Sequence, residues 1–212
     1  MPSIEVAWHA PSPVRGIPNH FKENLMALTT LDPKTALIVI DLQKGIVGLT
    51  AAHPIDGVVK QASALATAFR HHGLPVVLVN VDGGAPGRTE QSRRIGELHA
   101  DWAELVPELN QQADDHTVTK RTWGAFTGTD LGGHLKKLGV TQVVIVGVST
   151  SAGVESTARH AHEQGFNVTL AIDAMTDMNP EAHINSVTRI FPRLGETGTT
   201  QEVIDLLDKR SV

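Results

Sequence analysis

The sequence predicts an α/β fold of three layers, α-β-α, around a mostly parallel sheet of six strands. Short apolar runs rich in β-branched residues alternate with helix-like segments along most of the chain. Several of these runs have no polar face at all, which is typical of strands that are buried on both sides. Strands and helices that alternate in this way favour parallel strand pairs joined by crossover helices on both faces of the sheet.

The predicted elements begin at residue 36, where the run ALIVI forms the first strand. Three of the helix-like segments end at a glycine, the residue that most readily ends a helix: Gly73, Gly139 and Gly165. The predicted strands are residues 36–40, 75–81, 117–119, 142–146, 168–172 and a short sixth strand at 189–191. The predicted helices are residues 56–72, 88–99, 130–138, 153–164, 180–188 and 200–208.

Residues 1–33 contain five prolines and no sustained hydrophobic period. They predict an N-terminal arm, with one short helix near residues 20–28, that packs on a neighbouring surface or subunit. Residues 34–212 are long enough for one domain with its own core, and short for two.

The amino-acid composition of the chain excludes several classes of function. Lysine and arginine are scattered and the formal net charge is −5, so no nucleic-acid partner is expected. No apolar stretch reaches about 18 residues and the N-terminus lacks a signal pattern, so we expect a cytoplasmic protein without a membrane partner. The chain has no cysteine, which excludes disulfides, thiolate metal sites and a thiol nucleophile. Aromatic residues make up only 4% of the chain, so we expect no stacked cofactor.

Four charged residues follow predicted strands directly, and two of them, Asp41 and Lys120, are of particular interest because Lys120 is the one cation of the four. In a parallel sheet the carboxyl ends of the strands share one rim, where ligands bind. The two side chains are therefore candidates for an ion pair that moves protons, since burial shifts the pKa of both partners. The alternative is that Asp41 caps the next turn and Lys120 lies on the surface.

The segment from Gly147 to Gly153 (GVSTSAG) links the fourth strand to a helix. Small residues at such a turn leave backbone N–H groups free to bind an anion or oxyanion. The segment matches neither the nucleophile elbow G-x-S-x-G nor a phosphate-binding loop. The simpler interpretation is an ordinary helix start capped by Ser149, Thr150 or Ser151.

Three blocks together resemble the isochorismatase-like hydrolases, also called cysteine hydrolases. They are TALIVIDLQ ending at Gln43, KRTWGAFTGTDL beginning at Lys120, and GVSTSAGVESTARHA beginning at Gly147. The resemblance covers about residues 34–208 and implies a Rossmann-like isochorismatase fold. In that family an Asp, a Lys and a Cys form a catalytic triad, and here Asp41 and Lys120 match while Gly153 stands at the cysteine position.

The resemblance also implies a chemistry without a thiol. Family members that hydrolyse isochorismate have a glycine at this position and cleave a vinyl ether without a covalent intermediate. Asp41 would then be the general acid, Lys120 its ion-pair partner and water the nucleophile, acting on a small anionic substrate. The peptide bond between Val148 and Ser149 would be cis, and the N–H groups of Ser149 and Gly153 would be the oxyanion donors. Thr150 is a further candidate for binding the substrate or the oxyanion.

Further residues at the same rim are candidates for substrate contact. Arg88 suits a carboxylate, and Asn80 lies in the same Gly/Pro-rich loop region. Trp123 and Phe126 are candidates for an apolar wall, although Trp123 equally suits contact with another subunit. Gln43 is a candidate for orienting the loop after Asp41.

No metal is expected, because the region after the second strand lacks the histidine of the Asp-x-His cluster found in nicotinamidase-like relatives. Two other functions stay open: C–N bond hydrolysis by activated water or by a serine, and a catalytically inactive binding or assembly subunit. The resemblance implies a homodimer or homotetramer.

Overall fold

A computed structural model describes residues 28–90 and 99–211 of the chain. Its centre is a six-stranded sheet in the order β3-β2-β1-β4-β5-β6, in which every neighbouring pair is parallel. The predicted α/β class is confirmed. The strands are β1 (Thr35–Ile40), β2 (Val76–Val81), β3 (His116–Lys120), β4 (Gln142–Val148), β5 (Asn167–Thr176) and β6 (Glu196–Gly198).

Helices cover both faces of this sheet. They are α1 (Lys44–Val47), α2 (Ile55–His71), α3 (Leu131–Lys137), α4 (Glu155–Glu163), α5 (Pro180–Asn185) and α6 (Thr200–Asp208). A single π-helical turn, Thr150–Val154, leads into α4, and another, Ser186–Ile190, extends α5. None of the helices in the described residues is both long and apolar enough to cross a membrane.

The two layers of the core follow from the alternation of side chains along the strands. Ile38 and Ile40 of β1 belong to the core on the side of α3 and α4. Leu37 and Val39 belong to the core on the side of α2 and α6. Because β1 lies in the middle of the sheet and is buried on both faces, its run of apolar residues has no gap.

Two predictions about the C-terminal third need correction. Residues 189–191, predicted as the sixth strand, lie in helical turns, and Phe191 is fully buried there. The sixth strand is Glu196–Gly198, which pairs with β5 from Thr169 to Ala171. The helix predicted for residues 180–188 changes to a π turn at Ser186.

The remaining predicted elements have the observed type, with ends that shift by a few residues. The prediction for residues 88–99 falls mainly on residues outside the described part of the chain. The same applies to nearly all of the predicted arm and its short helix.

Candidate active site

The site lies where the order of the sheet reverses. The chain runs from β1 outwards to β2 and β3, and then returns to place β4 on the other side of β1. At such a switch point the crossovers leave β1 and β4 in opposite directions and open a crevice at their carboxyl ends. Gly147 has φ of +115°, and a Cβ there would lie 2.0 Å from the carbonyl oxygen of Ile40. Only glycine lets β4 approach β1 this closely.

Asp41 follows β1 in a left-handed backbone conformation, with φ of +51°. That conformation is uncommon for a residue other than glycine and turns the side chain away from the alternating pattern of the strand. Its Oδ2 accepts a hydrogen bond from Lys120 Nζ at 2.7 Å. The two side chains are 8% and 2% exposed, so the ion pair is buried.

Burial dominates the electrostatics of this carboxyl. It raises the pKa of Asp41 to about 6, although the neighbouring Lys120 ammonium and its hydrogen bond act in the opposite direction. The second carboxyl oxygen, Oδ1, is buried and has no hydrogen-bond partner among the described residues. Asp41 can therefore hold or release a proton near neutral pH, and it keeps one oxygen for another group.

Lys120 is held from the other side by its own loop. Its ammonium donates a second hydrogen bond to the carbonyl oxygen of Thr122 at 3.1 Å. Lys120 ends β3, and its carbonyl oxygen accepts a bond from Asp82 N, which follows β2. The ammonium is thus fixed between the Asp41 carboxylate and a backbone carbonyl.

Gly153 lies in the π-helical turn after β4 and faces the ion pair. A Cβ at this position would lie 3.3 Å from Asp41 Oδ2 and 2.9 Å from Cγ2 of Ile40. The structure therefore places both Lys120 and Gly153 beside Asp41. The strand ends predicted the pair with Lys120, and the resemblance implied the place of Gly153. The peptide bond between Val148 and Ser149 is cis, as the resemblance implied.

The side chains of Gln43 and Thr150 bond to other parts of the protein. The Gln43 side chain binds the backbone N–H and carbonyl of Val81 and the carbonyl of Trp102. The Thr150 hydroxyl lies 2.8 Å from Nδ1 of His183. Both residues are fully buried. The Gln43 side chain thus has the loop-orienting position expected from the sequence, and the Thr150 hydroxyl is engaged with His183.

The other predicted contacts are divided between core and surface. Phe126 is in the core, with its ring stacked on Phe166, while Trp123 is 68% exposed. Arg88 is exposed. Asn80 donates to the carbonyl of Ala103, and its own side-chain oxygen is buried without a partner among the described residues.

Ser149 is the remaining predicted contact, and its side chain does not have the environment of an activated nucleophile. Its hydroxyl donates to the sulfur of Met178. The nearby Ser151 hydroxyl donates to Asp177, which also accepts the Ser151 backbone N–H. The nucleophilic serine considered from the sequence has no histidine base in these contacts.

Sequence reasoning missed the histidine behind the turn. Burial, and the neighbouring His53, lower the pKa of His183 to about 4, so the ring that meets Thr150 is neutral near neutral pH. The ring of His53 lies edge-on to it at 4.7 Å. Nothing local indicates this contact, since His183 lies 33 residues beyond Thr150 in the chain.

The residues present do not fit a metal centre of the nicotinamidase type. Asn80 and Asp82 occupy the relevant loop, where Asn80 binds a backbone carbonyl and Asp82 faces Arg121 at 3.5 Å. Within residues 28–90 and 99–211, no three His, Cys, Asp or Glu side chains are grouped so that they hold a metal ion.

Comparison with known proteins extends these findings. The model of the isochorismatase domain matches residues 35–202. The uncharacterized isochorismatase family protein YwoC of Bacillus subtilis is 44% identical over 182 residues, which are 81% of this chain and 93% of YwoC. The structure of an isochorismatase family protein from Burkholderia thailandensis superposes with a TM-score of 0.81 at 39% identity, over 84% of this chain and 98% of that one.

An N-carbamoylsarcosine amidase from Thermoplasma acidophilum is a more distant structural relative. It has a TM-score of 0.64 and 25% identity, over 79% of this chain and 96% of that one. The order of the sheet, the match to the family model and the similarity to the solved structure from Burkholderia thailandensis together identify this protein as a hydrolase with an α/β fold. The chain belongs to the isochorismatase family.

Proposed function

We propose that the protein hydrolyses a small anionic enol ether, with Asp41 as general acid and water as nucleophile, and that isochorismate is the best candidate substrate. One observation carries the proposal. The buried Asp41–Lys120 pair keeps one carboxyl oxygen unbound, and the neighbouring residue is Gly153, not a side-chain nucleophile. A vinyl ether needs a proton on carbon and then only water, whereas an amide needs a strong nucleophile.

The proposed reaction needs only the Asp41 carboxyl, one water molecule and the substrate. Protonated Asp41 donates its proton to the terminal =CH₂ carbon, whose π electrons form the new C–H bond and leave a cation stabilised by the ether oxygen. Water adds to that cation and returns a proton to Asp41. The resulting hemiketal breaks its C–O bond, transfers its hydroxyl proton to the departing oxygen, and yields an alcohol and a keto acid.

The positions of the charged groups support this proposed reaction. A carboxyl whose pKa is about 6 is protonated often enough near neutral pH to act as an acid. The Lys120 ammonium, 2.7 Å from Oδ2, stabilises the carboxylate that remains after proton transfer. Arg121, which follows Lys120 and is largely exposed, and Arg88 on the neighbouring loop would attract the carboxylates of the substrate.

The test is isochorismate turnover in D₂O. The proposed mechanism places one solvent deuterium in the methyl group of the pyruvate released, because carbon is the atom protonated. Turnover also falls about tenfold for each pH unit above about 6, as the acid form of Asp41 is lost.

Two variants complete this test. Asp41→Asn has the same size and no proton to donate, so it loses turnover. Asp205→Asn removes an exposed carboxylate on α6 and retains turnover. Turnover that survives in Asp41→Asn, or pyruvate without deuterium in its methyl group, contradicts the proposal.

Amide hydrolysis is the second candidate, and the amidase among the structural relatives favours it. Water activated by Asp41, or a serine of the segment from Gly147 to Gly153, would attack the carbonyl carbon. Ammonia released from a panel of small amides, with no isochorismate turnover, would favour this reaction. Inertness with both substrate classes would favour the third alternative, a binding or assembly subunit.

A further inference from the structure

Thr157 lies one turn beyond Gly153, and its hydroxyl joins the two segments that form the site. The hydroxyl donates to the carbonyl oxygen of Gly153 at 2.7 Å and accepts the backbone N–H of Ala125 at 3.1 Å. Thr157 is fully buried. A threonine hydroxyl on a helix commonly bonds the carbonyl four residues earlier, but here the same oxygen also holds a distant loop.

That loop, residues 121–126, also lies directly against α4. A Cβ at Gly124 would lie 2.7 Å from Nδ1 of His160 and 3.5 Å from the backbone of Ser156, so the loop backbone rests on the helix surface. The loop is braced internally as well, since the Thr122 hydroxyl donates to the carbonyl of Gly124. Its position on α4 therefore determines where the carbonyl of Thr122 lies.

These contacts close a ring around the ion pair. Lys120 Nζ bonds Asp41 on one side and the carbonyl of Thr122 on the other. The loop continues to Ala125, whose N–H reaches Thr157, and Thr157 returns to Gly153 beside Asp41. Thr157 is the one side chain of the ring that bonds both the loop and the glycine turn.

We propose that Thr157 is a positioning residue that holds the ammonium of Lys120 on Asp41 by fixing the loop 121–126 to the Gly153 turn. Removal of the hydroxyl leaves the buried N–H of Ala125 without this partner and takes one hydrogen bond from the carbonyl of Gly153, which favours a shift of the loop away from the turn. Lys120 follows the loop because Thr122 holds it. Catalysis depends steeply on such placement, since a misplacement of about 1 Å lowers rates by about a hundredfold.

The experiment compares Thr157→Val with Thr157→Ser by ¹³C NMR titration of the Asp41 side-chain carboxyl. Valine has nearly the shape of threonine without the hydroxyl, whereas serine retains it. In Thr157→Val the ammonium contact weakens while the carboxyl stays buried, so the pKa of Asp41 rises above that of the wild type. In Thr157→Ser it stays at the wild-type value. A pKa that is unchanged or lower in Thr157→Val overturns the inference.

Thr67→Val is the matched control, because the Thr67 hydroxyl makes the same bond to the carbonyl four residues earlier but lies exposed on α2. It leaves the titration of Asp41 unchanged. If Thr157→Val does not fold, Gly124→Val tests the same point by pushing the loop away from α4 without altering Thr157. An Asp41 titration like that of the wild type in Gly124→Val then overturns the inference.

The kinetic part rests on the proposed function. With an enol ether as substrate and at a pH below about 6, where Asp41 is mostly protonated in both proteins, kcat falls at least about tenfold in Thr157→Val because the acid is misplaced. KM stays unchanged because Thr157 does not touch the substrate. Thr157→Ser restores kcat. If the wild type does not turn over enol ethers, the proposed function fails while the NMR titration still decides the role of Thr157.

Discussion

The buried carboxyl of Asp41 makes the stability of the protein depend on pH in a way that one isosteric substitution isolates. Folding raises the pKa of Asp41 from 3.8 to about 6. Below the lower value the carboxyl is protonated in both states. As the pH rises, the unfolded chain ionises first, so the unfolded state is favoured until the folded protein also ionises above about pH 6. The full loss of stability is about 3 kcal/mol.

The assay is urea unfolding of the wild type and of Asp41→Asn, compared at each pH. Titrating groups far from position 41 contribute equally to both proteins and therefore cancel in the difference. From the pKa values of 3.8 and about 6, about 1 kcal/mol of the penalty is present at about pH 4.5 and nearly all of it at about pH 7.5. The wild type therefore loses about 2 kcal/mol relative to Asp41→Asn over this interval.

The result that refutes this reasoning is a difference that stays constant or grows in favour of the wild type as the pH rises. Such a result means that the Lys120 ammonium outweighs burial and that Asp41 is an ordinary buried carboxylate. Asp205→Asn, on the exposed side of α6, supplies the baseline for loss of a carboxyl group as such.

Two further predictions concern the residues around the pair. Gly153→Ala lowers the free energy of unfolding by about 1–3 kcal/mol, because its Cβ would lie 2.9 Å from a methyl group of buried Ile40. The control Gly133→Ala, on the exposed face of α3 with open space around it, raises the free energy of unfolding by about 0.5–1 kcal/mol. Equal effects of the two variants in urea unfolding would contradict the steric argument. Gln43→Leu lowers the free energy of unfolding by about 3 kcal/mol, because the backbone groups of Val81 and Trp102 lose their hydrogen bonds to the Gln43 amide. A loss below about 0.5 kcal/mol would show that water replaces the amide.

Much of the fold was predictable because the central strands have their signal in the local sequence. A strand buried on both faces, such as Thr35–Ile40, needs an apolar run without polar interruptions. Few other secondary-structure elements of about six residues need such a run, so the run indicates a buried strand. The edge strand Glu196–Gly198 has three residues and no such run, and it exists because β5 offers it a partner. The apolar residues nearby, including Phe191, belong to helical turns that fill the core.

Part of the candidate site was also predictable from the sequence. Asp41 and Lys120 were candidates for a pair because parallel strands bring their carboxyl ends to one rim, but the order of elements also left a surface position for Lys120 open. The contact between Thr150 and His183 depends on where two distant turns pack, and no spacing encodes it. The bond from Thr157 to Gly153 does have a signal, the four-residue helical spacing, but its second bond to Ala125 has none.

The methyl group of Ile40 beside Gly153 also bears on how this chain can change over evolutionary time. A mutation that introduces cysteine at position 153 brings a thiol to the acid–ammonium pair, but its Cβ arrives where that methyl already lies. The gain of a nucleophile and the relief of the clash are separate genetic events, and the first alone weakens the protein. A cysteine at position 153 is therefore expected to need a smaller side chain at position 40, and an engineer who wants a thiol at this site should change both positions together.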